Sequence, residues 1–361
     1  MDDRDSRIRD IRFRPMERAL RIAFATSRGA KHVHRFVLVR AALRGGAGGL
    51  GEVPTSLSYP HEFVPAILEA LARVRPMLLG APIDEALGLV PPLRRRLAGM
   101  RMTVSGLELA LLRAKLAATG QSEHGRWGGH LRLIETDITV PLCRDGRLLR
   151  RWLTWACRKG FRRYKVKLSG RVDDDTRLLA GVSGFLAPRR RGFALRLDGN
   201  QAFTLRGAAA LADWLARRDL PVELIEQPLA VADRRGLREL RQRCDVPIIL
   251  DESVQGAADL RRVADGRLAD GVNIKVAKSG LAESAEMIAL ARAAGLKLMI
   301  GCMTETAVGL SAGIALAAGT GAFDYVDLDS IHFFRHRGRA GPWRIGGPRY
   351  VLPGRAGGSR R

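Results

Sequence analysis

Three carboxylates in this sequence each close a short apolar run, and together they could bind a metal ion. Asp198 ends the run ALRLD, Glu226 ends ELIE, and Asp251 follows the apolar residues 247–250. Converging carboxylates repel one another unless a cation neutralises them, and hard oxygen ligands suit Mg²⁺. The alternative is that each acid is an isolated helix cap or surface charge. Because all three lie in register at the ends of apolar runs, the pattern favours a Mg²⁺ site.

Lysines are the candidates for proton transfer. The chain has 61 basic residues but only eight lysines, and four of these lie in the segments Lys165-Val-Lys167 and Lys275-Val-Ala-Lys278. Arginine stays protonated in proteins, whereas the pKa of lysine can be lowered until it carries protons. Lys165 and Lys167 share one face of a predicted strand, and two neighbouring ammonium groups favour loss of a proton from one of them, which lowers its pKa. Lys275 approaches from another strand, and two such lysines suit removal and return of a proton α to a carboxylate.

The elements that must position these side chains repeat along residues 131–330. Short apolar strands alternate with amphipathic helices there, and a strand at 136–142 precedes seven more. The residues that end those seven strands are spaced 24 to 31 residues apart, which is room for one strand, one helix and two loops: Lys167, Asp198, Glu226, Asp251, Lys275, Gly301 and Asp327. This rhythm predicts a (β/α)-barrel, in which the carboxyl ends of all the strands share one mouth.

Residues 1–130 follow a different pattern, which predicts a small α+β unit. A strand is expected at 35–43, then a glycine-rich turn at 45–51 and helices at 66–74 and 106–119. After Asp329 no further βα unit follows, and the tail 353–361 has the composition of a disordered segment.

Composition excludes some classes of protein and leaves others open. The net charge of +24 raises the alternative of a non-catalytic, nucleic-acid-associated barrel protein, but the basic residues are spread along the chain without interleaved aromatics to stack on bases. The four cysteines have no C-x-x-C spacing, and the N-terminus lacks the apolar core of a secretion signal, so we expect a cytoplasmic protein. The uncharged stretch 306–323 contains four glycines and is expected to be a buried helix and loop, with no membrane span.

A set of motifs resembles the enolase superfamily, muconate lactonizing enzyme subgroup. In order, they are YKVKL, LDGNQ, IEQPL, LDES, NIKVAKSG and GCMTET, and the resemblance covers roughly residues 20–330. It implies an α/β fold, a modified TIM barrel (β/α)₇β with an N-terminal α+β capping domain. It further implies that residues 1–130, completed by 331–352, form the cap and that 131–330 form the barrel. The resemblance also implies roles by motif position. Asp198, Glu226 and Asp251 would be the ligands of one Mg²⁺ per subunit. Lys167 and Lys275 would be the acid/base pair, and Lys165 would bind the substrate or tune Lys167.

The end of the last strand resembles the dipeptide epimerases within that subgroup. Asp327 and Asp329 lie two apart on one face, and such a pair can clamp an ammonium group, here the free amino terminus of a dipeptide. The resemblance also implies that Thr139 and Met303 line the substrate pocket, and that Arg28 in FATSRG reaches from the cap toward the distal carboxylate of an acidic dipeptide. The expected reaction is a 1,1-proton transfer at the carbon α to a metal-bound carboxylate, through an enediolate.

Other enzymes of the superfamily stay open as alternatives: an N-acylamino acid racemase, an o-succinylbenzoate synthase or a muconate-type cycloisomerase. The expected partner is a small-molecule substrate, with no membrane and no nucleic acid, and a homo-oligomer is left open. The bulky, basic segment 331–339 could line the pocket and alter substrate choice.

Overall fold

The computed structural model describes residues 4–143, 145–336 and 341–353. The predicted disordered tail therefore lies outside the described residues apart from Pro353. The first element is an antiparallel sheet in the order β1-β2-β3, with strands β1 (Ile8–Thr26), β2 (Gly29–Leu43) and β3 (Gly48–Pro54). The buried residues of β2 lie in its second half, from His34 to Leu43, where the strand packs on a core.

Helices cover the inner face of this sheet. They are α1 (Val64–Val74), α2 (Ile83–Gly88), α3 (Val90–Arg96), α4 (Arg101–Ala118) and the short α5 (Glu123–Arg126). Helix α4 is buried along most of its length because it packs against β3 on one side and against the barrel on the other. The contact with β3 is so close that a Cβ at Gly51 would lie 1.9 Å from the carbonyl oxygen of Gly106, so glycine is required at residue 51.

The rest of the chain builds the expected barrel. Its eight parallel strands are β5 (Ile138–Val140), β6 (Arg163–Lys167), β7 (Ala194–Asp198), β8 (Val222–Glu226), β9 (Ile248–Leu250), β10 (Gly271–Ile274), β11 (Lys297–Gly301) and β12 (Tyr325–Asp327). The strands are joined by the helices α6 (Gly146–Arg158), α7 (Val172–Leu186), α8 (Leu205–Ala216), α9 (Arg234–Arg243), α10 (Ala257–Gly266), α11 (Val276–Ala293, broken at Gly280) and α12 (Ala307–Thr320). The amide of Asp137 donates to the carbonyl of Val326 (3.3 Å), which brings the two edge strands together.

This arrangement confirms the predicted fold class, a (β/α)₇β barrel with an antiparallel cap. Helix α12 is the buried helix predicted from the uncharged stretch. Among the described residues, no helix is long and apolar enough to cross a membrane.

The C-terminal segment pairs with both parts of the molecule. Strands β13 (Arg344–Gly346) and β14 (Arg349–Val351) form a small sheet with β4 (Leu133–Glu135), next to the barrel. Phe334 instead bridges to Leu20 of β1. The division of the chain at residues 130 and 330 stays a prediction.

Candidate active site

A cavity lies between the mouth of the barrel and the cap. Barrel residues at strand ends form its floor, and the cap contributes residues 24, 26 and 31 together with the loop 55–59. The cap therefore closes the mouth on which the strand-end residues converge, as the fold requires.

Lys165 and Lys167 lie side by side at the floor of this cavity. The Nζ of Lys167 donates to Oδ2 of Asp198 (2.5 Å), and the Nζ of Lys165 lies 3.1 Å from the same oxygen. Lys165 also lies 2.7 Å from Oε2 of Glu226 and 2.7 Å from Oδ2 of Asp327. One buried ammonium thus joins two of the predicted metal ligands to the first aspartate of the D-x-D pair.

Lys275 approaches the cavity from another strand. It follows β10, and its Nζ donates to Oδ2 of Asp251 (2.7 Å). The other oxygen of Asp251 accepts from Lys278 (2.5 Å), which also donates to the backbone carbonyls of Asp251 (2.7 Å) and Val254 (2.9 Å). Asp251 is thus held by two lysines, of which only Lys275 lines the cavity.

These ion pairs set the protonation states at the floor. Burial opposes ionisation of Asp198, but Lys167 and Lys165 outweigh it and hold the pKa of Asp198 at about 2. Burial would lower the pKa of Lys165, yet Asp327, Glu226 and Asp198 raise it well above its usual value. The carboxylates around Lys165 therefore outweigh its burial. The expectation that one of the two neighbouring lysines has a lowered pKa stays a prediction.

Burial and a neighbouring carboxylate also act in opposite directions on the pKa of Lys275. Burial opposes the charge of Lys275, but Asp251 raises the pKa of Lys275 above its usual value. For Glu226, burial and then the charge of Asp198 raise the pKa. The charges of the carboxylates therefore act on one another across the floor of the cavity.

The D-x-D pair belongs to a second acidic cluster in the same cavity. Carboxylate oxygens of Asp137, Asp327 and Asp329 lie within 4.8 Å of one another. Asp137 is neutralised by a buried ion pair with Arg196 (2.8 Å). Asp329 accepts from the amide of Thr139 (2.5 Å), while burial and then Asp327 raise its pKa to about 7.

Because Asp137 and Asp327 already have cationic partners, this cluster has less uncompensated charge than its three carboxylates suggest. It fits one further monovalent donor such as an ammonium better than a divalent ion.

The remaining predicted residues fall into two groups. Thr139 and Met303 line the cavity, as does Phe333 from the segment 331–339, of which residues 337–339 lie outside the described part of the chain. Arg28 lies in the exposed turn between β1 and β2 and is not among the residues that line the cavity. Its contact with substrate stays a prediction.

Several site residues were quoted within motifs but were given no role. Asn273 donates from Nδ2 to Oε1 of Glu226 (2.9 Å). The side chain of Gln227 accepts from the amide of Asp251 (3.1 Å), although Gln227 itself has a positive φ of 36°. Asn200, with a φ of 42°, donates its amide to Oδ1 of Asp198 (2.9 Å).

Positive φ is uncommon outside glycine and is tolerated where surrounding structure imposes it. These polar residues each follow or lie beside a strand-end acid, and that position was the available signal.

Comparison with known proteins places this fold and site in a family. The sequence model described as enolase C-terminal domain-like matches residues 147–359. The chain is 33% identical over 314 residues to the aromatic dipeptide epimerase of Herpetosiphon aurantiacus, covering 86% of each chain. It is 30% identical to the L-Ala-D/L-Glu epimerase of Thermotoga maritima, covering 87% of this chain and 90% of that one. The protein therefore belongs to the enolase C-terminal domain-like family.

A solved structure extends this likeness to a liganded site. The dipeptide epimerase from Methylococcus capsulatus, complexed with Mg and the dipeptide L-Arg-D-Lys, is 27% identical and superposes with a TM-score of 0.85 over 96% of this chain and 97% of that chain. Mg²⁺ and a dipeptide are thus bound together in that relative.

Proposed function

We propose that this protein is a Mg²⁺-dependent dipeptide epimerase, an isomerase that inverts the α-carbon of the C-terminal residue of a dipeptide. The observation that carries the proposal is the position of Lys167 and Lys275 in one cavity, on strand ends four units apart around the eight-stranded barrel. Each ammonium is held by a carboxylate, Asp198 or Asp251. The curated relatives that match most of the chain carry the same kind of activity in their names.

Asp198, Glu226 and Asp251 would hold one Mg²⁺ per subunit. Their fit to the ion rests on this structure: all three are buried, end adjacent strands, and offer only hard oxygen ligands. The charges of Asp198 and Asp251 are compensated by lysines. When bound, Mg²⁺ supplies electron withdrawal from a substrate carboxylate, which makes the neighbouring C–H more acidic.

Lys167 and Lys275 would transfer the proton at the α-carbon of the substrate. A substrate carbon between them presents one face to each Nζ, so one lysine accepts the α-proton while the other, as ammonium, donates a proton to the opposite face. Inversion follows because the two faces are served by different strands. Lys165 is given no proton-transfer step, since its Nζ lies close to three carboxylates at once, those of Asp198, Glu226 and Asp327. Its charge instead keeps the acids in place.

Asp327 and Asp329 would bind the free amino terminus. Both are buried at the end of the last strand and line the cavity. An ammonium group placed there would compensate the repulsion that raises the pKa of Asp329. N-acylamino acids and the substrates of cycloisomerases and o-succinylbenzoate synthases lack this ammonium group, which argues against those three alternatives. The alternative of a non-catalytic, nucleic-acid-associated protein does not account for the cavity and its ion pairs.

The test is exchange of the α-proton in D₂O with Mg²⁺, followed by NMR, on a pool of L,L-dipeptides and a pool of N-succinyl amino acids. We expect exchange in the free dipeptides, lost on addition of EDTA. The variant Asp327→Asn should lower kcat/KM for dipeptides at least about tenfold, because a charge-assisted contact is lost. Exchange confined to the acylated pool would make the protein a racemase and contradict the role given to the aspartate pair. The cytoplasmic location and a homo-oligomer stay predictions from the sequence.

A further inference from the structure

Helix α11 is broken directly after the residues that it brings to the site. Lys275 precedes its first turn and Lys278 lies within that turn, but Gly280 has a φ of 73° and interrupts the helix. The residues from Leu281 onward form a second helical segment. The first turn is therefore not held by a continuous helix, and other contacts must fix the position of Lys275.

Glu108 of the cap helix α4 lies against this break. Its Oε1 accepts from the backbone amide of Ala282 (2.8 Å), at the start of the second segment, and its Oε2 accepts from Arg94 (2.8 Å). Glu108 is buried, and a Cβ at Gly280 would clash with its Oε2. Glycine is thus required at residue 280 both for the positive φ and for the close approach of Glu108.

A second residue of the cap holds the first turn itself. Arg101, at the start of α4, donates to the backbone carbonyl of Lys278 (3.3 Å) and to Oε2 of Glu283 (2.7 Å). The other oxygen of Glu283 accepts from the amide of Ala257 (2.9 Å), at the start of α10. One network therefore joins the cap to the first turn of α11 and to the segment that follows Asp251.

The segment after Lys167 is held in a different way. The amides of Ser169 and Gly170 donate to the two oxygens of Asp175 (2.8 and 2.9 Å). Asp175 is buried in the first turn of α7, which belongs to the barrel. The backbone after Lys167 is thus fixed by a helix of the barrel, whereas the backbone after Lys275 is fixed by residues of the cap.

We propose that the cap positions Lys275 for proton transfer, with Glu108 as the positioning residue, and that this contact acts on one of the two acid/base lysines alone. The inference rests on the proposed function, because it takes Lys275 to transfer a proton. Loss of the Glu108 contact should slow exchange on the substrate face served by Lys275 and spare the face served by Lys167. A residue that only stabilised the fold would not distinguish the two faces.

The test measures deuterium incorporation with retained configuration for each diastereomer of one dipeptide, in D₂O with Mg²⁺. This exchange reports on a single lysine, because the proton leaves and the deuteron returns on the same face. The ratio of forward to reverse kcat/KM for epimerisation cannot serve instead, since the equilibrium constant fixes it. Lys167→Ala and Lys275→Ala identify the diastereomer that each lysine serves.

In Glu108→Ala we expect exchange on the Lys275 face to fall at least about tenfold and exchange on the Lys167 face to change less than about threefold. The reason is that a small displacement of a reacting group costs a large factor in rate. Glu108→Gln keeps an oxygen for the amide of Ala282 and should restore most of the lost rate.

Two further variants are matched controls. Asp175→Asn weakens the contacts of the segment after Lys167 and should slow the Lys167 face more than the Lys275 face. Glu69→Gln changes an exposed acid on helix α1 of the cap and should leave both faces unchanged. Melting temperatures of all variants, measured beside the kinetics, identify any that fail to fold.

Each further outcome overturns a definite part of the account. Equal slowing of both faces in Glu108→Ala, or no slowing of either, would make the inference wrong while the epimerase function stands. If Glu108→Ala does not fold, Arg101→Met decides in the same way, because it removes the contact with the carbonyl of Lys278 and should slow the same face. If the wild-type protein exchanges no dipeptide, the proposed function itself is wrong, and this inference falls with it.

Discussion

At the scale of single residues, Lys278 shows how one side chain can hold a metal ligand without touching substrate. Its three donors are all used, on Oδ1 and the carbonyl oxygen of Asp251 and on the carbonyl oxygen of Val254. Oδ2 of Asp251 is thereby turned toward Lys275. Lys278 is a positioning residue, and its loss should first of all weaken metal binding.

We expect Lys278→Met to weaken Mg²⁺ binding about 10- to 100-fold, because groups that orient a metal ligand contribute on that scale. Titration calorimetry with Mg²⁺ alone measures this without any substrate. The matched control is Lys159→Met, which changes a lysine at the end of α6 far from the cavity. An unchanged affinity in Lys278→Met would show that Asp251 is oriented by other contacts.

Residue type and position in the sequence predicted the acids and lysines of the site, since each ends a recognisable strand. The ion-pair partners of these residues could not be predicted, because they come from strands far apart in sequence. Asp327, for example, contacts Lys165, which is 162 residues away in the chain. The K-x-K spacing predicted an effect between two ammonium groups, but the spacing could not reveal the three carboxylates that surround Lys165.

At the scale of elements, Glu52 joins the cap to the barrel. It lies on β3 and accepts from the amides of Thr306 (2.9 Å) and Gly309 (3.0 Å) at the N-terminus of α12, where a negative charge is favoured. Behind it lies His34, fully buried, stacked on Phe36 at 5.1 Å and 3.5 Å from Glu52. The joint between the two parts therefore depends on a buried histidine.

This joint should make stability depend on pH. Burial, opposed in part by the nearby carboxylate of Glu52, lowers the pKa of His34 to about 4 from about 6.5 in the unfolded chain. Between these values the unfolded state binds the proton and the folded state does not, so stability is lost as the pH falls from 6.5 toward 4. Replacing His34 by Phe should remove about 2 kcal/mol of the stability difference between pH 7 and pH 5.

Urea unfolding of the wild type and of His34→Phe at both pH values checks this. His32→Phe, at an exposed position on the same strand, should leave the pH dependence as in the wild type. Equal pH dependence in His34→Phe and the wild type would contradict the assignment.

The barrel strands were predictable because both of their faces are buried, so each is a short apolar run of uniform character. Strand β1 could not be predicted in this way, because much of it is exposed and charged residues interrupt its apolar pattern. Its partner β2 was recognised over its more apolar half alone, at 35–43, although the strand begins at Gly29. Helix α2 follows Pro82, helix α3 has prolines in its first turn, and both lack the length that gives a periodic signal.

At the scale of the whole molecule, the net charge of +24 has no counterpart in the cavity. The cavity floor is built from acids and lysines in pairs, whereas many arginines of the outer helices lie exposed or pair with neighbouring acids, as in Arg261–Glu286. Surface charge and site chemistry are therefore separate properties of this chain. The function follows from the way the barrel and cap bring distant strand ends to one cavity.

The central claim is that two lysines on different strands serve opposite faces of one carbon. Its most direct test is to follow each diastereomer of one dipeptide in D₂O with Mg²⁺, using the wild type, Lys167→Ala and Lys275→Ala. We expect each variant to lose epimerisation by about a thousandfold, and any residual exchange to be confined to opposite diastereomers in the two variants. Epimerisation within tenfold of the wild-type rate in either variant would contradict the claim.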